Sequence, residues 1–324
     1  TLSLHDALPI YKLMTVSILW LSFCSAYLCL KSEYRKFDTA FTGAFLYAVQ
    51  PFFMTELFVR AGIGAALVFV FIPPLLLGYK RIVSGNEDRP YDGILLLSAG
   101  MSGVITSHVT STVIIVCALS VVYLIQLAGM KNRLRRTCSI IISAVLCFLL
   151  SAWYLIPMME QFMYGRFNGA SVTKLMIPSE NLLALFLPMH LSIALNSVLH
   201  ADMSYSMIGG VIFSFLIPVI RLIINKYRPD RTEKLLSGIY LGIVCILLIH
   251  WTFLEKYISF IQFAWRIFLI AAISEMLLNI RLLNRIEDER YIRFRLYTGI
   301  AVSAYVIMFF FGYFAIRNFM PSLA

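Results

Sequence analysis

The chain has 324 residues, of which 60% are hydrophobic and only 14% charged, with a mean hydropathy of +0.84. A water-soluble domain carries about 25% charged and about 45–50% apolar residues, so these proportions exclude one and point to a protein dissolved in a bilayer. The net charge of +10 does not indicate a nucleic-acid partner. The Lys and Arg residues stand in short clusters between apolar runs, not along one face of a soluble fold.

The first ten residues, TLSLHDALPI, begin without Met and resemble translated adapter sequence, so the fold reading starts at residue 11. The ending IRNFMPSLA carries no closing charged tail. Residues 11–324 are expected to form a single transmembrane helical domain, itself a fragment of a longer protein. A crossing helix needs about 20 mostly apolar residues. Ten runs qualify: 13–30, 38–54, 61–79, 93–108, 109–127, 138–157, 206–225, 236–252, 266–284 and 296–316. The predicted fold class is therefore all-α, a polytopic membrane bundle of about ten spans.

The fourth and fifth runs are continuous in hydropathy and are divided at His108, which lies among the hydroxyls of Thr106, Ser107, Thr110 and Ser111. Charge supports that division. Segments 31–36, 80–89, 131–136, 221–234 and 281–295 hold 20 of the 27 Lys and Arg residues. The excess of basic residues on the cytoplasmic side places these segments there, and merging the two helices at His108 would break their alternation. The outer face then receives Glu56 and Arg60, the His108 turn, segment 158–205, segment 255–266 and the C-terminal tail. Within 158–205 the apolar stretch NLLALFLP (181–188) is expected to lie along the membrane surface or to dock on the bundle.

Few side chains carry chemistry. The six cysteines (Cys24, Cys29, Cys117, Cys138, Cys147 and Cys245) lie in or beside apolar runs and read as small packing residues. His190, His200 and His250 fall towards the outer side, and no grouping has metal-site spacing. Glu160 and Asp202 are outer-face carboxylates that suit a base or a metal ligand, or a structural role. Glu275 stands in mid-helix in FLIAAISEMLLNI, where a bare carboxylate costs about 2.5–3.5 kcal/mol. It must be protonated, paired or turned to a polar cavity, and a transporter would use such a residue.

Four stretches share a family likeness: FLYAVQPFFMTELFVRAGIGAALVFVFIPPLLLGYKRI (45–82), ITSHVTST (105–112), LLSAWYLIPMMEQ (149–161) and FIQFAWRIF (260–268). In that order they resemble recurring blocks of the bacterial polytopic membrane proteins labelled with a 6-pyruvoyl-tetrahydropterin-synthase-related domain, which have a GT-C-type glycosyltransferase-like fold. The likeness spans most of residues 40–285, and it departs from the family pattern at Ala65, Val109 and Ala264. It implies a multi-pass protein of the bacterial cytoplasmic (inner) membrane. That protein would transfer sugar at the outer face from a polyprenyl-phosphate-linked donor, or descend from one that did.

The resemblance places the catalytic carboxylate in a first outer loop upstream of this chain, where a divalent cation would also act in the full-length protein. No cofactor is identified within the chain itself, and membrane lipids are the other expected partners. It further assigns phosphate binding to Arg60 and Arg266, since a guanidinium offers a planar fork of donors to a phosphate at the membrane surface. Interface anchoring by snorkelling is the plainer role for each. Glu56, four residues before Arg60, would fix the Arg head on a helical turn. His108 is read either as part of a capped turn or as a donor to phosphate or sugar in the outer cleft. The rival function is a transporter or lipid-handling protein with a path near Glu275.

Overall fold

In a computed structural model the structure describes residues 4–85, 90–164, 229–247 and 264–284; these are helical, with no strand among them. The chain forms two compact units, one of residues 1–40 and 62–173, the other of residues 41–61 and 174–324.

The first unit holds α1 (Leu4–Tyr34), the start of α2 (Phe37–Ala48), α4 (Ile63–Ser84), α5 (Pro90–Ser107), α6 (Val109–Leu127) and α7 (Arg133–Met163). Four helical stretches here are long and apolar enough to cross a membrane: Pro9–Tyr34 of α1, and α4, α6 and α7. Large apolar side chains such as Trp20, Leu124 and Trp153 point outward from them, as they must if the surrounding solvent is hydrocarbon.

The helix directions follow from which residues meet. Along α4 and α5 the partners run in opposite order: Gly64 with Ser107, Leu75 with Gly100, Ile82 with Gly93. These two helices are antiparallel. Between α5 and α7, Ser98 Oγ donates to the Ser143 carbonyl at 3.0 Å and Ser151 Oγ donates to Ser102 Oγ at 2.8 Å, so that pair runs parallel. In the same way Ser25 Oγ donates to the Val70 carbonyl at 2.7 Å while Arg81 reaches Ser32 at 2.6 Å and Lys80 pairs with Glu33, which makes α1 parallel to α4. Since α5 and α7 run the same way, α6 must carry the chain back between them. Segments 31–36, 80–81 and 131–136 therefore gather at one end, and Gly64 and His108 stand at the other.

The α4–α5 seam depends on missing side chains. A Cβ on Gly100 would stand 2.5 Å from Leu75 N and 2.7 Å from its Cα. A Cβ on Gly78 would meet the Gly93 carbonyl at 2.8 Å. Small residues allow the backbones to approach, which replaces the hydrophobic drive that lipid cannot supply between helices. At the basic end α4 closes on Gly85 in the left-handed conformation, φ 68°, with its N–H returning to the Arg81 and Ile82 carbonyls. Arg136 of α7 lies against Gly85 and donates to the Val83 carbonyl, a cation set at a helix C-terminus.

The second unit contains α3 (Pro51–Met54), a π turn at Thr55–Val59, α8 (Arg231–Leu247), a 3-10 turn at Ala264–Ile267 and α9 (Phe268–Asn284). Phe268 joins them, with its ring 5.9 Å from Phe52 and 6.3 Å from Tyr240. Phe53, Leu57, Ala271 and Leu282 are also buried. A capping box starts α8: Glu233 N–H donates to Asp230 Oδ1 and Asp230 N–H donates to Glu233 Oε2, each at 2.8 Å. Arg281, near the end of α9, pairs with Asp230 Oδ2 at 2.8 Å. Together with the Tyr240–Phe268 contact this sets α8 and α9 antiparallel, with Arg281 and Arg266 at opposite ends of the pair.

The expected ten spans are corrected by these helices. Run 38–54 is broken near Val49 and Gln50 into a 12-residue α2 and a four-residue α3, and the buried Gln50 accepts the Phe53 N–H with its side-chain oxygen. A side-chain amide that satisfies the next turn in place of the ladder ends the helix there. α5 is 18 residues long, but the glycines and hydroxyls that let it pack closely dilute its apolar content. α8 and α9 are each described over 17 residues, up to Leu247 and Asn284. Runs 206–225 and 296–316, most of segment 158–205 and the end of run 236–252 lie outside the described residues, as do Asp202, His190, His200 and His250.

Candidate functional site

The second unit brings three predicted charged residues together. Pro51 opens α3, a position that uses its fixed φ and needs no N–H. Phe52 and Phe53 are buried in the following residues, and the ladder then widens: Arg60 N–H donates to the Thr55 carbonyl at 3.0 Å, a bond spanning five residues. Such π turns recur at functional sites because they re-aim side chains that a regular helix would point elsewhere. Ala61 follows at φ 53°, a left-handed conformation that costs a residue with a Cβ about 1 kcal/mol or more.

Glu56 is carried inward by this turn between the buried Thr55 and Leu57 and is itself only 3% exposed. Arg60 Nη1 pairs with Glu56 Oε1 at 2.5 Å, and its side chain is 13% exposed. Arg266 sits in the 3-10 turn that leads into α9, and its charge acts on both Glu56 and Arg60. Burial pushes the Glu56 carboxyl above its ordinary range, against the opposing pull of Arg60 and Arg266. Burial likewise lowers the Arg60 guanidinium to about 10, and Arg266 adds to that while Glu56 opposes it. Two guanidinium groups thus act on one carboxylate, and the trio is net positive. Chemically, such a group favours an entering anion with several oxygens, phosphate above all.

Arg60 is not in the first turn of α4, which begins at Ile63 after the Gly62 cap. It closes the π turn. Arg266 does stand at a helix start.

His108 belongs to the first unit, where it is the N-cap of α6. Its backbone is extended (φ −158°, ψ 110°), and Nδ1 accepts the Ser111 N–H at 3.2 Å with Ser111 Oγ at 2.8 Å. The ladder enters through His108 N–H to the Val104 carbonyl and leaves through Thr112 N–H to the His108 carbonyl, so the interruption is one residue wide. An imidazole that accepts at Nδ1 carries its proton on Nε2. The capping role is visible in the structure: Ser111 engages the ring, while Thr106 and Ser107 donate to the Ser102 and Gly103 carbonyls of α5.

Glu275 on α9 is 4% exposed, and Asn279 Nδ2 donates to its Oε1 at 3.3 Å. Tyr240 lies within its electrostatic reach. Ser274, adjacent in sequence, donates instead to the Ile270 carbonyl. Glu160 stands exposed near the end of α7. Of the cysteines only Cys147 is buried, while Cys117, Cys138 and Cys245 are exposed. Among the described residues no three His, Cys, Asp or Glu side chains form a metal-binding group.

Sequence reasoning missed the Asp230–Glu233–Arg281 cluster, although Asp-Arg-Thr-Glu at 230–233 carries the capping-box spacing that announces it. It also missed Tyr240 beside Glu275, for which no local signal exists. Comparison with protein-family models, curated proteins and solved structures finds no match to this chain.

Proposed function

We propose that the chain is a GT-C-type membrane glycosyltransferase, or an inactive relative that keeps the donor site. In this reading Glu56, Arg60 and Arg266 hold the phosphate of a polyprenyl-phosphate-linked sugar. One observation carries the proposal: two arginines 206 positions apart act on one buried carboxylate, leaving a part-buried group with net positive charge. Anchoring arginines would instead reach singly for the headgroup layer. The four family-like blocks give the substrate class.

The roles divide as follows. Arg266 and Arg60 would each donate hydrogen bonds to the phosphate oxygens. As the bond between sugar and phosphate breaks, negative charge grows on the departing phosphate, and fixed guanidinium groups stabilise it without reorganising. Glu56 keeps Arg60 in place, so the site is oriented before the donor arrives. The proposed setting is the cytoplasmic (inner) membrane of a bacterium, with this site on the outer face and the basic loops in the cytoplasm.

The test is binding of a polyprenyl-monophosphate sugar to the chain in lipid nanodiscs. Loss of charged hydrogen bonds should weaken binding about 10–100-fold in Arg266→Ala and in Arg60→Ala, with helical content retained. Unchanged affinity in both variants would defeat the proposal. A second reading, a transport or lipid-handling path past Glu275, draws on the buried Glu275–Asn279 pair. Proton-coupled flux in proteoliposomes that disappears in Glu275→Gln would favour that path instead.

A further inference from the structure

The basic end of the first unit is more than a sum of paired charges. Segments 31–36, 80–81 and 131–136 bring nine Lys and Arg side chains together, and the carboxylates on these and adjoining described segments are Glu33, Asp38 and Asp92. Some of the cations are engaged within the fold. Lys80 pairs with Glu33, and Arg81 with Asp92 at 3.4 Å. Arg133 donates to the Ala128 and Met130 carbonyls at 2.5 and 3.3 Å, and Arg136 to the Val83 carbonyl, so both close helix C-termini.

Four others serve no such purpose. Lys31, Arg35, Lys131 and Arg135 are exposed, and among the described residues Arg35, Lys131 and Arg135 have no ion-pair partner. Lys31 leans over the Tyr27 ring at 5.5 Å, which holds its ammonium near the helix surface. One turn and more below this ring of charge, α1 exposes Leu28 and α7 exposes Ile141 and Ile142, side chains that require hydrocarbon beside them. Cations directly above an apolar belt are matched by a molecule with an anionic head and acyl chains. A nucleic acid or an acidic peptide would satisfy the charges and leave the belt in contact with water.

We propose that this end of the unit binds anionic phospholipids and selects them over zwitterionic ones. Each Lys or Arg near an anionic surface contributes about fivefold, and screening at physiological salt reduces the product of four. The expected preference for phosphatidylglycerol over phosphatidylcholine is therefore about tenfold or more.

Native mass spectrometry of the chain, released from nanodiscs of phosphatidylcholine with phosphatidylglycerol, reads the lipid retained. The wild type should keep phosphatidylglycerol preferentially, and the combined Lys31→Gln, Arg35→Gln, Lys131→Gln, Arg135→Gln variant should keep both lipids equally. Lys12→Gln, at the other end of α1, should leave the preference unchanged, and Arg35→Lys with Arg135→Lys should preserve it. Should the fourfold variant fail to insert, the wild type answers alone: its preference should fall as salt rises from 0.05 M to about 0.5 M. Equal retention of the two lipids by the wild type, a preference that survives the fourfold variant, or one indifferent to salt would each overturn the proposal.

Discussion

Replacing Gly100 by Ala probes the closest helix pair in the first unit. The added methyl would lie 2.5, 2.7 and 2.8 Å from the N, Cα and Cβ of Leu75, where ordinary contact begins at 3.4 Å. Leu75 N and Cα belong to α4 backbone and cannot swing aside, so the helices must part by about 0.9 Å. A gap of that size forfeits a quarter to a half of each dispersion contact along the seam. The neighbouring Ile72 and Leu75 are almost fully buried and cannot refill it. Overpacking of this kind costs about 1–3 kcal/mol, and the rigid partner atoms place Gly100 at the upper end. Ala recovers about 1 kcal/mol over Gly in a helix interior, leaving a net loss of about 2 kcal/mol. Gly238 on α8 supplies the control, since a Cβ there meets nothing within 4 Å. Gly238→Ala should be neutral or stabilising by up to about 1 kcal/mol. Reversible unfolding in bicelles, followed by circular dichroism, measures both. Equal stability of the two variants would refute the close-packed seam.

Three further outcomes are expected. Glu56→Gln leaves Arg60 buried beside Arg266 without its carboxylate and should cost about 3–5 kcal/mol, whereas Glu56→Asp, one methylene shorter, should cost less; chemical denaturation in micelles compares them. His108→Ala removes the acceptor for the Ser111 N–H and should destabilise the start of α6 by about 1 kcal/mol, with faster amide exchange at Ser111, while His108→Asn should retain most of the cap. Burial raises the Asp230 carboxyl, but hydrogen bonds from the Glu233 and Thr232 backbone and from Arg281 outweigh that and hold it below its ordinary value of 3.8. A depressed carboxylate adds stability that is complete above the unfolded value and is lost as pH falls through the folded one, so the α8–α9 end should loosen below about pH 4. Asp230→Asn should abolish that acid dependence in a pH titration of stability.

The sequence made the class and the helix break legible for different reasons. Composition alone reports the solvent, and four hydroxyls around one imidazole mark a place where side chains can replace ladder bonds, which is how His108 caps α6. Basic clusters revealed the shared end of α1, α4 and α7, because charge is expelled from hydrocarbon wherever the helices point. The π turn at Thr55–Val59 left no such mark. It follows Phe52, whose ring meets Phe268 of α9, a partner more than 200 positions away. Run 38–54 misled for a related reason: hydropathy counts Gln50 as one polar residue among many apolar ones and is blind to its side chain ending the helix. The glycines of α4 and α5 were visible, but only a facing backbone shows which of them have no room for a methyl.

The π turn also has a consequence for biosynthesis. Arg60 and Arg266 are separated by 206 residues, which a ribosome needs roughly 10–40 s to add. During that interval α9 does not exist, and the segment at 51–60 must wait without its eventual neighbour. The Glu56–Arg60 pair is local, so it can form at once and present the waiting segment as a neutral dipole instead of two separate ions. The same carboxylate then changes occupation when Arg266 arrives, from escort of one arginine to common counter-ion of two.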